Sequence, residues 1–278
     1  MKTISRLLAS ALILVFSLTA ARAINPQKEY TYTPKDFGLE YVEDSVVTSD
    51  GYRINIWNLP GTGENGRSVL IACADAGNMG QWLGIGATLC FLGYDVWMFD
   101  YRGFGGSQDF ATDRDMLYHS EYLRDFGAVL EHVAVLRDRP VDVLAFSMGT
   151  IMVGEHLRQY PGRKSLIRSC IMDGFISDPA ESVRILNGDN DNGSGSDGKS
   201  VRLPATPLLS PGFRPQDISV PMLLIHATED TVSPRRLLEP LTASPLVTLR
   251  EFDCKHLQAA FTHTEEYFTA LDTFLKAH

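Results

Sequence analysis

The chain has no Cys-x-x-Cys pair, and none of its four cysteines, Cys73, Cys90, Cys170 and Cys254, has a histidine at metal-ligand spacing. Zinc and dithiol redox chemistry are therefore not encoded, and no metal or other cofactor is called for. The Gly-x4-Gly-Lys-Ser/Thr phosphate loop is also absent, so Gly103, Gly105 and Gly106 in GFGGS read as the glycines of a shaped turn. Basic charge is in short supply: 25 Lys and Arg stand against 34 Asp and Glu, a formal net charge of −9. Such a surface repels nucleic acid and anionic membranes at long range, and no basic patch with interleaved aromatics offsets it.

The N-terminal stretch MKTISRLLASALILVFSLTAARA opens on Lys2 and Arg6 and continues into an apolar middle. Ala21-Arg22-Ala23 then supplies small residues at cleavage spacing, so residues 1–23 are expected to be a signal peptide. The apolar run is short for a membrane span and is broken by Ser and Thr, and no cysteine follows the site to take a lipid anchor. The expected mature protein is exported, periplasmic or secreted, without a stable membrane anchor. Loss of Lys2, Arg6 and Arg22 takes its formal charge from −9 down by three to −12. Residues 24–278, about 255 in all, suit a single α/β domain.

Within that domain, apolar runs alternate with helical patterns, which argues for a mostly parallel sheet covered by helices on both faces. EYVEDSVVTS and YRINIWNLP meet at Asp50-Gly51, so the sheet is expected to begin with an antiparallel hairpin. All four cysteines fall in or beside core-type segments and are expected as buried thiols, although export permits disulfides.

The segment VDVLAFSMGTIMVGEHL carries the clearest chemistry. A strand, Val141 to Phe146, runs straight into Ser147 and then into a helix, with the small residues Ala145 and Gly149 two positions either side. A serine on so sharp a turn is held clear of the sheet, and small flanks let the chain pass. The same turn sets the Met148 N–H at a helix start, where unpaired amides stabilise negative charge. Downstream, MLLIHA reads as a strand and TEDTVS as its exit loop, placing Asp230 just past a strand end; Glu229 beside it and Asp173, ending SCIMDG, are the competing acids. LVTLREFD is a further strand, and His256 follows it in the loop before a final helix, with His263 as its competitor.

In order and context, Ser147, Asp230 and His256 resemble the nucleophile, acid and base of the α/β-hydrolases. The resemblance extends to SVLIACADAGNMGQW, at the family's oxyanion loop, and to DVWMFDYRGFGGS, with the D-x-R-G-x-G-x-S turn of bacterial serine esterases, lysophospholipases and aminopeptidase-like hydrolases. It implies an α/β-hydrolase fold with catalytic Ser147, Asp230 and His256 and an oxyanion hole of the Met148 and Asp75 backbone N–H groups. The family's His-Gly before the oxyanion residue is replaced by Cys73 and Ala74, and Asp75 puts a carboxylate where negative charge must develop. That carboxylate must turn away, pair with a cation, or be protonated by burial.

The family's cap corresponds to about 175–218, a short irregular insertion. Its middle, NGDNDNGSGSDGKS, is expected to be flexible over 187–200. Asp189, Asp191 and Asp197 there do not match an EF-hand. The implied activity is cleavage of a small-molecule carboxylic ester through an acyl-enzyme. Amide or peptide hydrolysis on the same fold is one alternative, and a binding protein that keeps the fold without catalysis is the other.

Overall fold

Asp50 and Gly51 lie where two alternating β runs meet, and the backbone reverses there. Gly51 has φ +89° and donates to the Thr48 carbonyl at 2.9 Å, closing a hairpin between β1 (Val42–Val47) and β2 (Arg53–Leu59). The structure, a computed structural model, describes residues 23–61, 66–188, 200–205 and 212–278. The expected signal peptide apart from Ala23, and Asp189, Asp191 and Asp197 of the expected flexible segment, lie outside the described residues.

The sheet continues through β3 (Ser68–Ala72), β4 (Asp95–Phe99), β5 (Val141–Phe146), β6 (Ile167–Asp173), β7 (Met222–Ala227) and β8 (Val247–Phe252). Their spatial order is β1-β2-β4-β3-β5-β6-β7-β8, and β2 alone runs against the others. This is the mostly parallel sheet with an antiparallel start that the patterning predicts. The chain steps to opposite sides from the adjacent strands β3 and β5, leaving a crevice at their carboxyl ends, where α/β sheets bind ligands.

The helices among the described residues are α1 (Leu83–Phe91), α2 (Tyr122–Arg137), α3 (Met148–Gln159), α4 (Pro179–Leu186), α5 (Arg235–Leu238), α6 (Ala259–Thr262) and α7 (Thr264–Ala277). Period-2 alternation divides the strands between two cores. Leu70 and Ala72 of β3 and Val143 and Ala145 of β5 face α2 and α3, while Val69, Ile71, Leu144 and Phe146 face α1 and α7. Tyr122, Phe126, Val129, Leu130 and Val133 give α2 its buried stripe, and Tyr267, Phe268, Leu271, Phe274 and Leu275 give α7 the other. The expected single final helix is divided: α6 ends at Thr262 and α7 begins after His263, whose φ of −132° and ψ of 46° break the helical path.

Two local devices fix the loops over the crevice. In the turn after β4, Asp100 accepts the Met79 N–H at 2.7 Å and bonds the Tyr30 hydroxyl, while buried Arg102 pairs with Asp125 at 2.7 Å and Asp50 at 2.8 Å. Gly105, at φ +38°, leaves no room for a Cβ, which would sit 2.1 Å from the Asp100 Oδ2, so the glycines do shape this loop. At the N-terminus, Ile24 is fully buried, and Asn25–Pro26 pairs in parallel with Ala76–Gly77. All four cysteines are buried.

Candidate active site

Ser147 sits between the last residue of β5 and the first of α3 with φ +44° and ψ −111°, a conformation that costs about 1–3 kcal/mol unless the surroundings impose it. They do so from two sides. The Ser147 N–H donates to the Asp173 carbonyl at 3.0 Å, and Thr150 Oγ1 donates to the Ser147 carbonyl at 2.5 Å. Gly149 passes so close to β3 that a Cβ there would meet the Ala72 carbonyl oxygen at 2.3 Å, which is why this position has to be small.

His256 Nε2 lies 2.9 Å from Ser147 Oγ, and His256 Nδ1 lies 2.6 Å from Asp230 Oδ2. Asp230 is fixed by local donors: the N–H groups of Val232 and Ser233 reach its Oδ1 at 2.8 and 2.9 Å, and the Ser233 hydroxyl reaches Oδ2 at 2.7 Å. Burial works against its charge, but the His256 and Ser233 hydrogen bonds outweigh it and hold the carboxyl at about 2. Burial would lower the His256 pKa, yet the hydrogen bond and charge of Asp230, joined by Asp173 and Asp75, raise it above the ordinary 6.5. Ser233 carries no signal as a site residue except its place three after Asp230, the spacing of an Asx-type turn.

The competing residues lie elsewhere. Asp173 makes no hydrogen bond to His256; its carboxylate accepts the Tyr267 hydroxyl at 2.8 Å, and burial pushes it up to about 7. Its role in the site runs through the backbone carbonyl that holds Ser147. Glu229 is exposed, and its N–H bonds the Cys254 carbonyl at 3.0 Å. His263 bonds Thr262 and lines a groove with Arg250, Glu251 and Glu266 on the outer side of β8 and α7, which contains none of Ser147, Asp230 and His256.

The Met148 N–H is the first of α3 and so has no intrahelical acceptor. Asp75 follows the end of β3, and its carbonyl accepts the Asn25 N–H at 2.9 Å, so the half-buried N-terminal strand Asn25–Pro26 ties down the expected oxyanion loop. The Asp75 side chain is partly exposed; desolvation raises its pKa, against the lowering effect of its own backbone N–H and of charge on His256.

Gly174 was not singled out by the sequence pattern. At φ +64° it leaves space directly under the imidazole, where a Cβ would lie 2.5 Å from His256 Cε1. Asp173 and Gly174 thus touch both ends of the Ser147–His256 pair, through a carbonyl on one side and a missing side chain on the other.

Comparison with known proteins places the fold. The chain superposes on the esterase Pf2001 of Pyrococcus furiosus with a TM-score of 0.71 over 91% of this chain and 99% of that one, at 19% identity. It is 25% identical to an uncharacterized membrane protein of Saccharomyces cerevisiae over 41% of this chain and 44% of that protein. It is 40% identical to an uncharacterized protein of Mycobacterium tuberculosis over 22% of each. The matches thus span less than half the length of these curated relatives. The family model for the alpha/beta hydrolase fold matches residues 68–210, just over half of the 278-residue chain, from β3 through the elbow serine and beyond. With the strand order, the switch-point crevice and the strained elbow already in place, that match makes this chain a member of the α/β-hydrolase fold family.

Proposed function

We propose that this protein is an exported serine hydrolase that cleaves small-molecule carboxylic esters through an acyl-enzyme. The observation that carries the reading is the unbroken line Ser147 Oγ, His256 Nε2, His256 Nδ1 and Asp230 Oδ2, with spacings of 2.9 and 2.6 Å at its two ends. A serine hydroxyl is a poor nucleophile at neutral pH. His256 takes its proton as Oγ attacks the ester carbonyl, and Asp230 holds the imidazole in the tautomer that leaves Nε2 free to accept. Negative charge then grows on the carbonyl oxygen and is met by the Met148 and Asp75 N–H groups. His256 gives the proton to the departing alcohol, and a water activated by the same imidazole hydrolyses the acyl-serine. An esterase among the structural relatives supports the ester reading, and the N-terminal basic-apolar-small pattern supports export.

The test is labelling of the protein, beginning at Ile24, by a fluorophosphonate probe, with short-chain aryl ester hydrolysis followed in the same samples. Wild type is expected to label and turn over, and Ser147→Ala to do neither while keeping its fold. A well-folded wild type that does not label would remove Ser147 as nucleophile.

A further inference from the structure

We propose that Ile24 and Asn25 are positioning residues for the oxyanion hole: they hold the Asp75 loop so that its backbone N–H meets the transition-state oxygen, and loosening them lowers the rate. The inference deepens the serine-hydrolase reading and rests on it.

The loop that carries Asp75 is held at two ends. On one side β3 does this. Ala72 pairs with Ala145 of β5, and a Cβ at Gly149 would stand 2.3 Å from the Ala72 carbonyl oxygen and 2.8 Å from that of Cys73, so the chain is seated against the first turn of α3. Beyond Asp75 the partner is the N-terminal segment. The Asn25 N–H donates to the Asp75 carbonyl at 2.9 Å and the Gln27 N–H to the Gly77 carbonyl at 2.8 Å, a short parallel ladder in which Asn25 stands opposite Ala76 and Pro26 opposite Gly77.

A chain end normally frays, because ordering it costs conformational entropy with little burial in return. This segment is anchored along its length. Ile24 is fully buried in the core shared with α2 and α3, and its N–H donates to the Arg114 carbonyl at 3.1 Å. The Gln27 carbonyl accepts the Gly105 N–H at 2.9 Å and the Asn78 side-chain amide at 3.2 Å. Lys28 Nζ reaches the Ser107 carbonyl at 2.7 Å, and the Tyr30 hydroxyl takes the Gly106 N–H at 2.7 Å. The segment thereby ties the Asp75 loop to the glycine turn after β4, and Asp100 completes the tie by bonding both Tyr30 and the Met79 N–H. An oxyanion donor contributes because it needs no reorganisation as charge develops, so its worth depends on being fixed. It acts on the tetrahedral state more than on the planar ground state, and its loosening is therefore read in kcat and in the binding of tetrahedral adducts.

The experiment measures inhibition of aryl ester hydrolysis by phenethyl trifluoromethyl ketone and by phenethyl methyl ketone. Ser147 Oγ adds to the trifluoromethyl ketone, the hydroxyl proton passes to His256 and the carbonyl oxygen becomes the oxyanion; the methyl ketone binds without this addition. Neither inhibition constant depends on the fraction of the sample that is folded, so a merely structural role moves neither. In Ile24→Ala the trifluoromethyl ketone is expected to bind at least about tenfold more weakly and kcat to fall by a like factor, with the methyl ketone within about twofold of wild type and Ile24→Val close to wild type in both. Should Ile24→Ala fail to fold, Asn25→Pro, which keeps the Ile24 anchor and removes the N–H given to Asp75, is expected to show the same split. An unchanged constant for the trifluoromethyl ketone, or equal weakening of both ketones, overturns the proposal. Fluorophosphonate labelling separates the two failures. Wild type that labels, with no split in the variants, refutes the positioning role alone, whereas wild type that neither labels nor is inhibited by the trifluoromethyl ketone refutes the serine-hydrolase reading beneath it.

Discussion

Asp230 accepts from Val232, Ser233 and His256 together, and this crowd of donors keeps it ionised at about 2 while it raises the pKa of the imidazole it holds. The sign of the pH dependence follows. In the proposed mechanism His256 acts as a base only when neutral, so kcat/KM is expected to rise with pH through its raised pKa, with the acid limb above 6.5. In Asp230→Asn the amide keeps the van der Waals shape but offers Nδ1 no charge and allows the wrong tautomer. The expected outcome is a loss of about 10⁴-fold in kcat, with the remaining acid limb moved to lower pH. Stopped-flow ester hydrolysis between pH 5 and 9 reads both effects, and an unmoved acid limb would mean that Asp230 does not set the His256 pKa.

At the scale of elements, what was legible in the sequence was what leaves a local mark. The elbow announces itself because its geometry forbids a side chain at Gly149, the hairpin because its turn requires a positive φ at Gly51, and the buried strands because apolar runs such as MLLIHA end in turn residues. The rest is long-range. Tyr267 meets Asp173 across 94 residues, and Asn25 pairs with Ala76 without any pattern in either segment that names the other. The division of the last helix at His263 carries no proline or glycine, and the sheltered face of Gly174 is visible only once β6 and the His256 loop are side by side. Gly174→Ala tests that juxtaposition. Its methyl would press on His256 Cε1 from 2.5 Å and swing the ring away from Ser147, and misplacing a reacting group by about 1 Å costs about 10²-fold in rate. The expected result is a fall of that size in kcat and in the fluorophosphonate labelling rate, with the secondary structure by circular dichroism unchanged. Full activity in the variant would show that the imidazole has room to spare.

At the scale of the whole molecule, charge and site act in the same direction. The chain carries a formal charge of −9, which the proposed removal of residues 1–23 would take down by three to −12, and Asp230, Asp173 and Asp75 add their charge around His256. A low-dielectric cleft of one sign raises the local concentration of the opposite charge and hence the rate of encounter, more than it alters the bound complex. Salt screens that field over about 10 Å at 0.1 M and about 3 Å at 1 M. For a cationic ester such as the phenyl ester of alanine, kcat/KM is expected to fall several-fold between 0.01 and 1 M NaCl while kcat stays level, and the neutral phenyl ester of isobutyric acid is expected to respond little. A salt-independent kcat/KM for the cationic ester would show that the acidic charge does not steer substrate and leave the acidic surface to solubility.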